Sequence, residues 1–184
     1  MDRYAARMIT PRILWGALLA STGIYLVILQ TLELAPGEPD PMMLPALAIA
    51  GAFSAITSIA WPAYAQRQAA ASATFEIEEV PDPNAQGMFR DQVPTLRRFA
   101  DPDAVVSKGM ALFFTPYILA MALAESVAIY GFVLGFLGFD LVTIIPFWVV
   151  AWALMLVRFP RWSDVIAPLE KAHDTSFVPP DHRG

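Results

Sequence analysis

The most prominent pattern in the sequence is four long apolar segments separated by polar stretches. The segments are residues 13–32, 44–64, 109–137 and 141–157. Each is close to or longer than the ~20 residues that a helix needs to cross the hydrocarbon core of a bilayer. The pattern predicts an all-α, polytopic membrane protein with four transmembrane helices.

The ends of these segments carry signals that are typical of membrane spans. Arginines precede the first segment as they would a signal peptide, but its apolar run is too long and no small-x-small cleavage site follows, so we expect a retained span. The second ends near Trp61 and Pro62, an interfacial aromatic residue beside a helix breaker.

The fourth segment is short and lies between Asp140 and Arg158. We expect Pro146 to kink or start its helix. Tryptophans are enriched at membrane interfaces, so we expect three of them to anchor this segment near the lipid headgroups: Trp148, Trp152 and Trp162.

The positive charges predict the orientation of the spans. All 12 Lys and Arg residues lie in residues 1–12, 65–108 or 158–184, while residues 33–43 and 138–140 carry acidic side chains but no Lys or Arg. Cytoplasmic loops of membrane proteins are enriched in Lys and Arg. We therefore predict N-in/C-in topology, with external residues 33–43 and 138–140 and cytoplasmic residues 1–12, 65–108 and 158–184.

Composition agrees with this picture and excludes several functional classes. The chain is 57% hydrophobic and 16% charged, whereas an average soluble domain is about 25% charged. The formal charge of −5 argues against nucleic acid as a partner, because phosphate binding needs a basic surface. There is no cysteine, so disulfides and thiolate metal sites are excluded, and His173 and His182 are too far apart in the tail to suggest a metal site.

One ionisable carboxylate lies within the four predicted spans, Glu125. Translocon scales charge about 2.5–3.5 kcal/mol for ionised groups such as Asp at the centre of a span. Apolar surroundings disfavour the charged form of a carboxyl group, so we expect Glu125 to be protonated. Two interpretations stay open: a hydrogen bond to Ser54, Thr57 or Ser58 of the second span, as polar glue between helices, or direct handling of a proton or cation.

Small residues recur along the third span at helical spacing. At intervals of three or four they share one helix face: Ala120, Ala124, Ala128, Gly131 and Gly135. Gly131 and Gly135 form a GxxxG pair, which lets another backbone approach closely. That approach serves internal packing or oligomerisation, and Glu125 lies about 100° around the helix from Ala124, at the edge of this face.

Residues 123–131, Leu-Ala-Glu-Ser-Val-Ala-Ile-Tyr-Gly, resemble the ion-binding helix of the c subunit of rotary ATPases. The resemblance implies that Glu125 is the ion-binding acid, Ser126 a ligand hydroxyl, Leu123 a backbone-carbonyl ligand, and Tyr130 a partner that holds the carboxyl. Sodium sites of that family also use a Gln on the inner helix, which the second span lacks, so the implied ion is H⁺ rather than Na⁺. The whole chain resembles small four-helix membrane proteins of bacteria.

The polar regions predict little regular structure. Residues 65–108 are interpreted as a solvated loop, with residues 88–100 as an alternative amphipathic helix on the membrane surface. The tail from Pro168 is expected to be irregular.

From these observations the sequence predicts an integral protein of a bacterial-type inner, cytoplasmic membrane. Its expected role is structural or accessory within a homo- or hetero-oligomeric membrane complex, with proton handling through Glu125 as the alternative. Enzyme sites show several polar groups that converge at one depth, and only one is visible, so the chain is predicted not to be an enzyme and to need no cofactor other than a possible H⁺.

Overall fold

The computed structural model describes residues 6–32, 39–81 and 95–177. These residues are mostly helical, which confirms the predicted helical character, and they contain one β-hairpin. The order of elements is α1 (Ile9–Thr31), α2 (Met43–Ser72), β1 (Ile77–Pro81), β2 (Thr95–Phe99), α3 (Pro102–Phe136), α4 (Leu141–Val157) and α5 (Trp162–His173).

Three of these helices, α1, α2 and α3, are long and apolar enough to cross a membrane. The 17 residues of α4 coincide with the fourth predicted span. This helix is a candidate for a fourth crossing only when it is taken together with α5 as one bent span.

The helices α2 and α3 extend beyond the predicted spans into residues that the sequence analysis assigned to the loop 65–108. The end of α2 is rich in alanine, which favours helix. The start of α3 is capped because Asp101 Oδ1 accepts hydrogen bonds from the backbone N–H groups of Asp103 and Ala104, at 2.9 and 3.0 Å, while Pro102 occupies the first helical position, where a proline costs little.

The chain forms two compact units. The helical unit comprises Met1–Tyr64 and Thr115–Pro160, and the hairpin unit comprises Ala65–Phe114 and Arg161–Gly184. A proline, Pro62, Pro116 or Pro160, lies within two residues of each of the three points where the chain passes from one unit to the other. Pro62 and Pro116 are inside helices, so α2 and α3 each lose a backbone hydrogen bond close to a unit boundary.

The helical unit has a small core and a large exposed apolar surface. Its core contains Val127, Ala128 and Leu134 of α3 with Ile144, Trp148 and Ala151 of α4. Among the described residues, the exposed large apolar side chains all belong to this unit. On α2, Ile49, Phe53 and Ile56 are 72%, 70% and 67% exposed. Soluble monomers rarely leave contiguous apolar patches this open to water, so the surface is suited to lipid.

In the hairpin unit, acidic residues of one strand lie opposite basic residues of the other. β1 and β2 pair antiparallel, with Glu78 opposite Arg98 and Glu79 opposite Arg97. Arg98 Nε donates to Glu78 Oε1 at 2.7 Å. Such cross-strand pairs stabilise a register. A helix over residues 88–100 is therefore wrong for residues 95–99, and the rest of that segment, up to residue 94, lies outside the described residues.

The prediction of an irregular tail is wrong from Pro168 to His173, because α5 continues to His173. Its inner face is apolar and packs in the hairpin unit through Val165, Ile166 and Leu169, which are buried. Beyond α5, Ser176 N–H donates to the Arg97 carbonyl at 3.0 Å, so the chain forms a parallel bridge with β2 at Arg98.

Candidate functional site

Glu125 lies half-buried on α3 in the helical unit. Its Oε1 atom accepts a hydrogen bond from Ser21 Oγ at 2.7 Å and one from Tyr25 Oη at 3.2 Å. Ser21 and Tyr25 are four residues apart on α1, so their side chains lie on the same helix face, one turn apart. Two hydroxyl groups of one helix therefore hold a carboxyl group of another.

These partners differ from those expected of the second span. Ser58 of α2 instead donates to the carbonyl of Ala55, three residues earlier, at 2.7 Å. Serine in a helix commonly bonds back to its own backbone in this way. The hydroxyl groups that reach Glu125 come from α1.

The Ser21 hydroxyl has two acceptors within reach. Its Oγ is 2.7 Å from the Leu18 carbonyl oxygen and 2.7 Å from Glu125 Oε1, but a hydroxyl carries a single proton. When Glu125 is ionised, Ser21 and Tyr25 can both donate to it. When Glu125 is protonated, its own O–H can donate to Ser21 Oγ while Ser21 donates to Leu18. The network is compatible with either state of the acid.

The other residues implied by the c-subunit resemblance contact groups other than the Glu125 carboxyl. Ser126 Oγ donates to the Leu123 carbonyl at 2.8 Å, so this hydroxyl and this carbonyl bond to each other. Tyr130 lies beside α2, where a Cβ placed at Gly51 would be 3.7 Å from its Cδ2 atom. Among the described side chains, the hydrogen-bond donors to Glu125 are Ser21 and Tyr25.

The small-residue face of α3 is buried within the helical unit. Ala120, Ala124 and Ala128 are fully buried. At Gly131, a Cβ would lie 2.7 Å from Trp148 Cζ3 and 2.8 Å from Phe147 Cβ, which is closer than real Cβ contacts allow. Glycine at this position lets α4 approach the backbone of α3.

Gly135 has a similar role one turn later. A Cβ there would lie 2.7 Å from Leu29 Cδ1 of α1 and 2.9 Å from Ile144 Cδ1 of α4. The GxxxG pair therefore packs against α1 and α4 of this chain.

Two of the three expected headgroup anchors bond to α1 within the helical unit. Trp148 is fully buried, and its Nε1 donates to the Thr22 carbonyl at 2.9 Å. Trp152 is half-buried, and its Nε1 donates to Thr22 Oγ1 at 2.8 Å. The prediction of interfacial anchoring is wrong for Trp148, because a fully buried side chain does not reach the headgroups, and it stays a prediction for Trp152. Trp162 packs edge-on against Phe177 in the hairpin unit, with ring centroids 6.0 Å apart.

The described part of the chain contains no group of three or more His, Asp or Glu side chains that could hold a metal ion. His173 Nε2 lies 3.1 Å from the Ala70 carbonyl, and its ring packs against Phe75 and Phe99 at 5.2 and 6.2 Å. Because a carbonyl only accepts, Nε2 carries a proton and donates. His182 lies outside the described residues.

Comparison with protein-family models, with curated proteins and with solved structures finds no match for this chain. The resemblance of residues 123–131 to the c subunit therefore stays a prediction based on those residues alone.

Proposed function

We propose that this chain is a four-span integral membrane protein with N-in/C-in topology that acts as a structural or accessory subunit of a membrane complex. In this proposal Glu125 is a polar tie between helices and has no catalytic role. The observation that carries the proposal is the pair of hydrogen bonds from Ser21 and Tyr25 to Glu125 Oε1.

The membrane part of the proposal is supported by the division of apolar surface between the two units. Three helices are long and apolar enough to span, and the exposed large apolar side chains of the described residues are confined to the helical unit. The absence of Lys and Arg from residues 33–43 and 138–140 favours placing those two connections outside a bacterial-type inner membrane. The partners in this proposal are lipid and other membrane proteins.

The structural role of Glu125 is supported by the source of its hydrogen bonds. A polar group in hydrocarbon is costly unless it is paired, and polar side chains that bond across helices hold transmembrane helices together. Both hydroxyl groups belong to one face of α1, so the carboxyl group fixes how α3 meets α1. A tie of this kind needs no cofactor.

Carbodiimide labelling of Glu125 in native membranes, across pH and with or without Na⁺, tests this role. The variant Glu125→Gln is the blank, and Ile49→Glu in that background is a positive control, because Ile49 lies on the exposed face of α2. A structural tie predicts labelling of the control and none of Glu125. Labelling of Glu125 that falls as pH rises would contradict it.

The second candidate function is proton handling through Glu125, in an oligomer. The specific observation in its favour is the Ser21 hydroxyl, which has Leu18 O and Glu125 Oε1 both at 2.7 Å and so can serve either protonation state of the acid. In this candidate, labelling of Glu125 titrates with pH, and protection by Na⁺ would indicate Na⁺ instead of H⁺ as the ion.

A further inference from the structure

A proline inside α2 leaves one backbone carbonyl without its normal donor. In an α-helix the carbonyl of residue i accepts from the N–H of residue i+4, and proline has no N–H. Pro62 therefore removes the donor to the Ser58 carbonyl. In the structure, Arg158 Nη2 donates to that same oxygen. A side chain from the end of α4 thus replaces the missing backbone donor of α2.

The properties of Arg158 suit this replacement. It is the C-cap residue of α4 and is half-buried. Burial lowers the pKa of Arg158, but an arginine starts from so high a value that it keeps its charge and its five N–H donors. Charged donors form stronger hydrogen bonds than neutral ones, and a carbonyl freed by proline in a membrane helix needs such a partner.

The hairpin unit contains the same arrangement at a second proline. Pro168 lies inside α5 and removes the donor to the Asp164 carbonyl. Gln66 Nε2 donates to that oxygen at 2.6 Å. The residue that supplies the donor again comes from a different helix, here α2. In each case the freed carbonyl is the one four residues before the proline, so both contacts follow from the same backbone geometry.

We propose that Arg158 and Gln66 are clasps, meaning side chains that take the place of the N–H that proline lacks and thereby join one helix to the break in another. The Arg158 clasp joins the end of α4 to α2, and the Gln66 clasp joins α2 to α5. The Ser58 carbonyl is part-buried and receives its donor from α4, whereas the Asp164 carbonyl is exposed and is also open to water. Each clasp therefore links the hydrogen bonds of the interrupted helix to the packing of the helix that supplies the donor.

Restoring the backbone N–H should make each clasp unnecessary, and this is the test. Arg158→Met is expected to lower the Tm of the purified full-length chain in detergent by roughly 3–10 °C. In the Pro62→Ala background the residue 62 N–H can donate to Ser58, so the same arginine substitution should lower the Tm by less than half as much. Gln66→Leu and Pro168→Ala form the second pair, with the same pattern but a smaller Tm loss for Gln66→Leu, because that hydrogen bond is exposed and its donor is uncharged.

The crossed combinations are matched controls. Pro168→Ala should not reduce the effect of Arg158→Met, and Pro62→Ala should not reduce that of Gln66→Leu. If Arg158→Met does not fold alone, recovery of a folded protein in Pro62→Ala/Arg158→Met is the expected result. Equal Tm losses in the matched, crossed and wild-type backgrounds, or no recovery in the matched double variant, would overturn the proposal. These readouts do not depend on whether Glu125 titrates.

Discussion

Single residues of α1 supply the polar contacts that the helical unit needs in its interior. Ser21 and Tyr25 donate to Glu125, and Thr22 accepts from the indoles of Trp148 and Trp152. A hydroxyl in an apolar helix can bond to its own backbone, so it is stable both with and without its partner. One short polar patch on α1 thereby contacts both α3 and α4.

A double-mutant cycle measures the contact between Ser21 and Glu125. Combining Ser21→Ala with Glu125→Leu should reveal a coupling free energy of about 0.6–1.5 kcal/mol, the range for hydrogen bonds between membrane helices and in proteins generally. Unfolding in mixed micelles measures it.

Ser126→Ala is the matched control, because that hydroxyl is adjacent to Glu125 in sequence but donates to the Leu123 carbonyl. Its coupling to Glu125→Leu should be near zero. A larger coupling for Ser126 than for Ser21 would show that the acid bonds within its own helix.

The sequence identified Glu125 as exceptional but did not identify its partners. An acid in an apolar span is visible from hydropathy alone, whereas its neighbour depends on which helix packs against that face. The spacing of Ser21 and Tyr25, one turn apart in an otherwise apolar segment, was a signal that could have found them. Trp148 was misassigned for a related reason, since tryptophan is typical both of interfaces and of buried positions with an acceptor.

At the scale of elements, the contact between α3 and α4 depends on the absence of side chains. Gly131→Ala would place a Cβ 2.7 Å from Trp148 Cζ3. We expect a loss of about 1–3 kcal/mol in the free energy of unfolding, as for overpacked cores.

Gly23→Ala on α1 is the matched control, because a Cβ there would meet nothing within 4 Å. Alanine is the better helix former, so this variant should be neutral or slightly stabilised in the same unfolding measurement. Equal losses for the two variants would mean that the cost comes from the helix backbone and not from contact with α4.

The elements themselves were predicted unevenly, for physical reasons. Long apolar runs mark spans, and residues 141–157 correspond to α4 residue for residue. Hydropathy does not mark where a helix continues into polar sequence, so the extensions of α2 to Ser72 and of α3 back to Pro102 were missed. The hairpin was missed because it pairs residues that are far apart in the sequence, such as Glu78 and Arg98, and no local pattern marks that pairing.

At the scale of the whole molecule, the chain combines a unit with an exposed apolar surface and a unit in which apolar side chains are packed away. In the second unit, the charged end of Lys108 bonds to groups of the same unit. Its Nζ donates to the Thr74 carbonyl at 3.1 Å and lies 5.0 Å from the Phe75 ring centroid. Lipid suits the first unit and water suits the second. This division, together with the distribution of Lys and Arg, underlies the proposed topology.

The number of crossings decides on which side of the membrane the end of the chain lies. With α1, α2 and α3 alone as spans, residues 138–140 and α5 would be on the same external side. With α4 as a fourth span, α5 returns to the cytoplasm. Lys171, exposed on α5, is therefore the position that discriminates between three and four crossings.

Four crossings with both termini in the cytoplasm are tested most directly by labelling single cysteines with a membrane-impermeant maleimide. The natural chain has no cysteine, so each variant reports one position without background. We expect Met42→Cys to be labelled in intact cells, and Glu79→Cys and Lys171→Cys only after permeabilisation. Labelling of both Met42→Cys and Lys171→Cys in intact cells would mean three crossings, and labelling of Glu79→Cys but not Met42→Cys would mean the inverted orientation.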